Sequence, residues 1–181
     1  MPRRMRFFSF LLVIVSTLAV SSVYAQEVPD AHEIILKLSA SPMADVPKTT
    51  LITMKIPAPW ESQVMSGESV SFRVPFHPGV TGKVEHLSDP SSPEADIHVL
   101  EERFHTDFQI ESQDAIETGV FIGTQVILSG RLGGERWKIR LYSGTVAKKY
   151  HIRFYAQSPD FWFHIYMDFF DEILQSIQPK A

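Results

Sequence analysis

The chain has 181 residues, 44% apolar and 21% charged, with no cysteine, a formal net charge of -4 and a mean hydropathy of -0.03. These proportions fit one ordinary globular domain and argue against a disordered, collagen-like or multi-span membrane protein. Without cysteine there is no disulfide, thiol nucleophile, thiolate metal site or cysteine-linked lipid.

Residues 1–25 open with Arg3, Arg4 and Arg6. They continue in an apolar run from Phe7 to about Val20 and close on Val23-Tyr24-Ala25. This is the build of a secretory signal peptide, with cleavage expected between Ala25 and Gln26. The alternative, an uncleaved anchor, is disfavoured because Ser9, Ser16 and Thr17 interrupt a run already short for a span of about 20 residues. Three of the 17 basic residues leave with the leader, so 14 face 21 acidic ones and the remaining domain, 26–181, stands at -7. The sign of the charge also changes along the chain. Residues 26–118 hold 16 acidic and 6 basic residues, whereas residues 131–153 hold seven basic ones against Glu135 alone.

Residues 30–40 place Ala31, Ile34, Ile35 and Leu38 at helical spacing behind Asp30, with Glu33 three places on, which predicts a short helix. Residues 41–47 hold two prolines and read as a loop. Residues 49–56 alternate and stop at Pro57-Ala58-Pro59, which predicts a strand. Residues 68–75, with Val70, Phe72 and Val74 on one face, predict a second strand, followed by a turn-rich stretch at 76–82. Residues 88–96 are rich in serine, proline and acid, and read as the most mobile internal loop because nothing there is cheaply buried. Residues 97–104 read as a strand, and 106–117 suit a helix or a strand equally. Three alternating runs follow at 120–129, 136–142 and 150–156, a meander of antiparallel strands. Ser158-Pro159 then supplies a cap and a first-turn proline, with Asp160 behind them, for a closing helix over 161–177 that stops at Pro179. No internal repeat and no second domain boundary is present.

Two features carry a resemblance: the strand ending Ile56-Pro57-Ala58-Pro59-Trp60, and the aromatic helix ending Phe170-x-x-Ile173-Leu174-x-Ser176-Ile177. Over roughly residues 48–178 the chain resembles the PsbP-like and DcrB-like family. The resemblance implies an exported or lumenal α/β/α sandwich around a twisted antiparallel sheet. It also implies an accessory or assembly factor that binds larger protein complexes, with no shared catalytic constellation to transfer.

The chain contains no G-x-S-x-G elbow, H-E-x-x-H helix, phosphate-cradling G-x-x-x-x-G-K or EF-hand loop, and no cofactor is implied. Gly130-Arg131-Leu132-Gly133-Gly134 joins two predicted strands, so it reads as a hairpin turn rather than a phosphate loop. On a strand, His98 and Glu102 share a face while His105 falls on the other, and two ligands do not make a metal site.

Alternation sorts the basic island. Trp137, Ile139 and Leu141 face one way and Lys138, Arg140 and Tyr142 the other; Tyr150, Ile152 and Phe154 oppose His151, Arg153 and Tyr155. Paired, these strands are expected to gather Lys138, Arg140, Tyr142, His151, Arg153 and Tyr155 into one cationic, aromatic surface for an acidic protein or an envelope complex. Against that stands an ordinary solvated sheet face. Net charge and export argue against a nucleic-acid ligand. On the closing helix, Trp162, Ile165 and Phe169 extend the apolar character beyond one stripe, and either neighbouring loops, or a partner or lipid, are expected to cover them.

The expectation is therefore an α+β protein, an α/β/α sandwich whose central antiparallel sheet is flanked by an N-terminal and a C-terminal helix. It is exported, non-enzymatic and binds a protein partner, with no transmembrane helix once the leader is removed. Two alternatives make different demands. A small hydrolase needs a histidine within hydrogen-bond reach of both a hydroxyl and a carboxylate, and a lipid or apolar-ligand carrier needs a cavity between the sheet and the final helix.

Overall fold

The three runs with the clearest alternation form the centre of a seven-stranded antiparallel sheet. The computed structural model describes residues 31–38, 50–66 and 68–180; the predicted leader at 1–25 and the loop at 41–47 lie outside the described residues. The strands are β1 His32–Leu38, β2 Thr50–Ile56, β3 Glu61–Ser66, β4 Ser69–Val74 and β5 His77–Leu87, followed by helix α1 Pro93–Phe104. Next come β6 Gln109–Thr118, β7 Phe121–Leu132, β8 Glu135–Val146 and β9 Tyr150–Pro159, then helix α2 Asp160–Gln175 and β10 Gln178–Lys180. The large sheet has the order β3-β4-β5-β9-β8-β7-β6, and a second sheet has the order β1-β2-β10. Helix α1 packs on one face of the large sheet, over β7 and β8, and α2 packs on the other, over β9, β8 and β7 and against β2.

The predicted N-terminal helix is a strand, so the helix that forms the second outer layer is the internal α1. Ile34, Leu36 and Leu38 form a period-two series that coexists with the helical spacing, and a run this short satisfies both. Pairing decides it: His32 to Leu38 run antiparallel to Ile56 through Thr50, leaving Ile34 8% and Ile35 44% exposed.

The loop and strand expected over residues 88–104 are α1. Ser92 is extended (φ -94°, ψ 158°) and accepts the Ala95 N–H, Pro93 opens the helix, Glu94 and Asp96 lie in its first turn, and His105 closes it in the left-handed region (φ 51°). The same cap signals expected at Ser158-Pro159 do not act there. β9 runs through Pro159, Ser158 is buried and donates to the Pro159 carbonyl, and α2 has no side-chain cap.

Of the turn-rich stretch at 76–82, Phe76 is in a turn and residues 77–82 are the first half of β5. Its Pro and Gly sit where the ladder to β4 shifts, Arg73 pairing with Thr81 but Val74 with His77. At Gly82 the Phe72 ring occupies the space a Cβ would take, which is why the strand carries glycine there. The ambiguous 106–117 region is the edge strand β6, and β3, unmarked in the sequence, is the other edge.

Two cores result. The larger, between the sheet and α2, includes Trp60, Phe72, Phe121, Tyr142, Phe154 and Phe170, with Ile52, Met54 and Ile56 from the small sheet. The smaller, under α1, is built from Ile97, Leu100, Val126, Leu128, Ile139, Leu141 and Tyr155. The two sequence features behind the resemblance meet across the larger core. Trp60 lies 5.8 Å from Phe170 and 5.9 Å from Tyr166 between ring centroids, and Ser176 Oγ accepts the Lys55 N–H at 2.8 Å.

Candidate functional site

The six residues expected to share one cationic face are divided between both faces of the sheet. The alternation within each strand is as expected, but the register pairs Tyr142 with Phe154 and Leu141 with Tyr155. Lys138, Arg140 and Tyr142 therefore point to the α2 side, while His151, Arg153 and Tyr155 point to the α1 side.

Both faces are covered, so four of the six are buried: Arg140 is 6% exposed, Tyr142 0%, Arg153 8% and Tyr155 7%. Arg140 donates to Asp171 at 3.0 Å, to the Met167 carbonyl at 3.2 Å and to Gln125 at 2.9 Å, and Tyr142 donates to Asp171 at 2.6 Å. Burial and the bond to Asp171 push the Tyr142 hydroxyl far above its ordinary pKa. Lys138 lies 2.7 Å from Glu111 and 3.5 Å from Asp160, and the Glu111 bond raises its pKa. His151 is half-buried on the α1 side. Lys138, Arg140 and Tyr142 thus tie α2 to the sheet and Arg153 and Tyr155 tie α1 to it, rather than presenting a joint surface.

On α2, Phe169 is half-buried against Trp60 and Tyr166, and Trp162 stacks edge-on with His77 at 4.3 Å. Neighbouring chain thus covers two of the three apolar residues singled out, and Ile165 remains exposed beside Phe161. Between the sheet and α2, where a lipid carrier would need its cavity, pack the buried rings of Trp60, Phe72, Phe154 and Phe170. His98 and Glu102 sit on α1 rather than a strand, 3.4 Å apart as an i,i+4 pair. Among the described residues no group of three or more His, Asp or Glu could hold a metal ion, and no helix is long and apolar enough to cross a membrane.

What the structure does assemble is a groove on the α1 face. Helix α1 lies over β7 and β8, and the β3, β4 and β5 half of that face lies beside it, forming with β9 and the end of α1 a groove of about 600 Å³. Glu61 and Gln63 come from β3, Ser71 and Arg73 from β4, Thr81 and Lys83 from β5, Tyr155 and Gln157 from β9, and Arg103 and Phe104 from α1. The alternating positions that line it pair across the ladder, Gln63 with Ser71, Ser71 with Lys83 and Lys83 with Tyr155. At its outer end Arg73 Nε donates to Glu61 at 2.7 Å.

At the inner end the charges converge on Glu85, which is buried. Lys83 reaches it at 2.5 Å, Arg103 at 3.2 Å and Arg153 at 2.8 Å, while Arg103 also bonds the Tyr155 hydroxyl. Arg153 is shared with the fully buried Asp96 at 3.0 Å, which in turn accepts from Ser91 at 2.8 Å. Burial alone would raise the Glu85 pKa, but the bonds from Lys83 and Arg153 and the fields of Arg153 and Arg103 hold it at about 2. Burial raises the Tyr155 hydroxyl. Sequence reasoning missed the groove because Lys83 lay just past a predicted turn, in no predicted element, and Arg103 on a predicted strand, with nothing to bring them together.

No protein-family model matches the chain, and no curated protein matches it in sequence. Among solved structures it is similar to cyanobacterial PsbP (CyanoP) from a Synechocystis species, with a TM-score of 0.53 and 11% identity over 71% of this chain and 86% of that one. It is also similar to LpqN of Mycobacterium tuberculosis, a protein involved in cell envelope biogenesis. There the TM-score is 0.52 and the identity 13%, over 81% of this chain and 92% of that one. At these identities the likeness is one of architecture, and the chain has the PsbP-like fold, an antiparallel α+β sandwich with two flanking helices.

Proposed function

We propose that this is an exported, non-enzymatic binding protein that holds an extended segment of a protein partner in the α1-face groove. The observation that carries the reading is the groove itself. Its floor crosses four neighbouring strands, which spans about 14 Å and matches roughly four residues of extended chain. The lining mixes short hydroxyls and amides (Ser71, Thr81, Gln63, Gln157), suited to peptide groups, with the Phe104 ring, suited to an apolar side chain. The shared fold with LpqN supports a place in the cell envelope.

A photoreactive residue substituted at Thr81 is expected to cross-link to a protein in the cells that make this chain, whereas one at Asp114, on the opposite edge strand, is not. Equal adducts from both positions, or none from Thr81, would overturn the groove as the binding site.

Export rests on the leader, and the mature protein is expected to begin at Gln26. Intact mass of the protein recovered outside the cytoplasm tests this, and retention of residues 1–25 would count against it.

A further inference from the structure

Resting on the reading of the groove as a peptide site, we propose that its inner end recognises an acidic side chain, so that the occupant is an extended segment of a partner protein carrying Asp or Glu. The charge count carries this. Around Glu85 the structure gathers three cations, Lys83, Arg103 and Arg153, against two carboxylates, Glu85 and Asp96. The surplus is one positive charge in a domain whose expected net charge is negative.

The surplus also has a place. Arg153 is buried and divided between Glu85 and Asp96, so it is spent inside the protein. Lys83 and Arg103 line the groove, with side chains 23% and 33% exposed, and both lean on the same Glu85 oxygen. An ammonium carries three donors and a guanidinium five, more than one shared oxygen and the Tyr155 hydroxyl can absorb. A carboxylate arriving beside them completes the charge balance without displacing Glu85. The outer end is different, since Arg73 and Glu61 neutralise each other there. The positive field therefore sits at one end, next to Phe104 and Tyr155, and fixes which way the occupant lies.

Two capped peptides test the idea by chemical-shift titration of the full chain: acetylated, amidated pentaglutamate and its pentaglutamine counterpart. Pentaglutamate is expected to shift the resonances of Lys83, Arg103 and Tyr155, and to weaken as salt rises from about 0.02 to about 0.3 M. Lys83→Gln is expected to weaken it by roughly tenfold, the loss of one charge-assisted hydrogen bond, and to leave pentaglutamine unchanged. Lys83 lies at the groove lip, and the salt dependence of the wild type gives the same answer without a variant. If both peptides occupy the groove equally, with no salt dependence and no effect of Lys83→Gln, the acidic preference is wrong and the groove reading stands. If neither peptide shifts any groove resonance, both readings fall.

Discussion

Replacing Phe170 by alanine is expected to cost about 3 to 5 kcal/mol, read as a fall in the urea denaturation midpoint with an unchanged slope. The ring is fully buried where three layers meet: α2 supplies it, Trp60 meets it edge-on at 5.8 Å, and the small sheet and the large sheet close over it. Its removal leaves a cavity that rigid ring neighbours cannot fill by small shifts, so both the transfer and the cavity contributions apply. Against a typical total of about 5 to 15 kcal/mol the loss is a large share. Phe161→Ala, nine residues earlier on the same helix but 70% exposed, is expected to stay within about 0.5 kcal/mol. Equal midpoint shifts for the two variants would overturn the assignment of α2's buried face.

How far such assignments could be read from sequence depended on what each signal encodes. The runs at β7, β8 and β9 were legible as a meander because alternation between flanking turns has one reading, whereas the sandwich around them was what the resemblance implied. The register was not legible, and register decides which faces combine. With Tyr142 opposite Phe154, the polar positions of β8 share a face with the apolar positions of β9. A sheet covered on both sides then buries charges from either set, which a single-face reading cannot anticipate. The caps show the same limit. Ser-Pro followed by an acid occurs at Ser92-Pro93-Glu94 and at Ser158-Pro159-Asp160. Ser92 acts as a cap because it is exposed and extended, whereas Ser158 is held in a strand ladder opposite Lys138. The Ser88 to Asp96 acids looked unburiable, yet Asp96 is fully buried because Arg153, far away in sequence, supplies its counter-charge.

That counter-charge network makes Glu85 the second position where a large effect is expected. Glu85→Gln removes the one carboxylate on which Lys83, Arg103 and Arg153 converge, leaving three cations with Asp96 alone. The cost is about 3 to 5 kcal/mol near neutral pH, most of it the penalty of an under-compensated buried Arg153 rather than the worth of any single pair. The pH dependence identifies the mechanism. The carboxyl's ordinary pKa of 4.5 is lowered to about 2 in the fold, so its stabilisation is present above about 4.5 and disappears as pH falls toward 2. A shift of that size corresponds to roughly 3 kcal/mol. Stability measured by urea midpoint at pH 7, 5, 4 and 3 should therefore show the wild type losing ground to Glu85→Gln as the acid range is entered. A gap between the two proteins that stays constant from pH 7 to pH 3 would mean that Glu85 acts through shape alone. The surplus positive charge assigned to the groove lip would then lose its electrostatic basis.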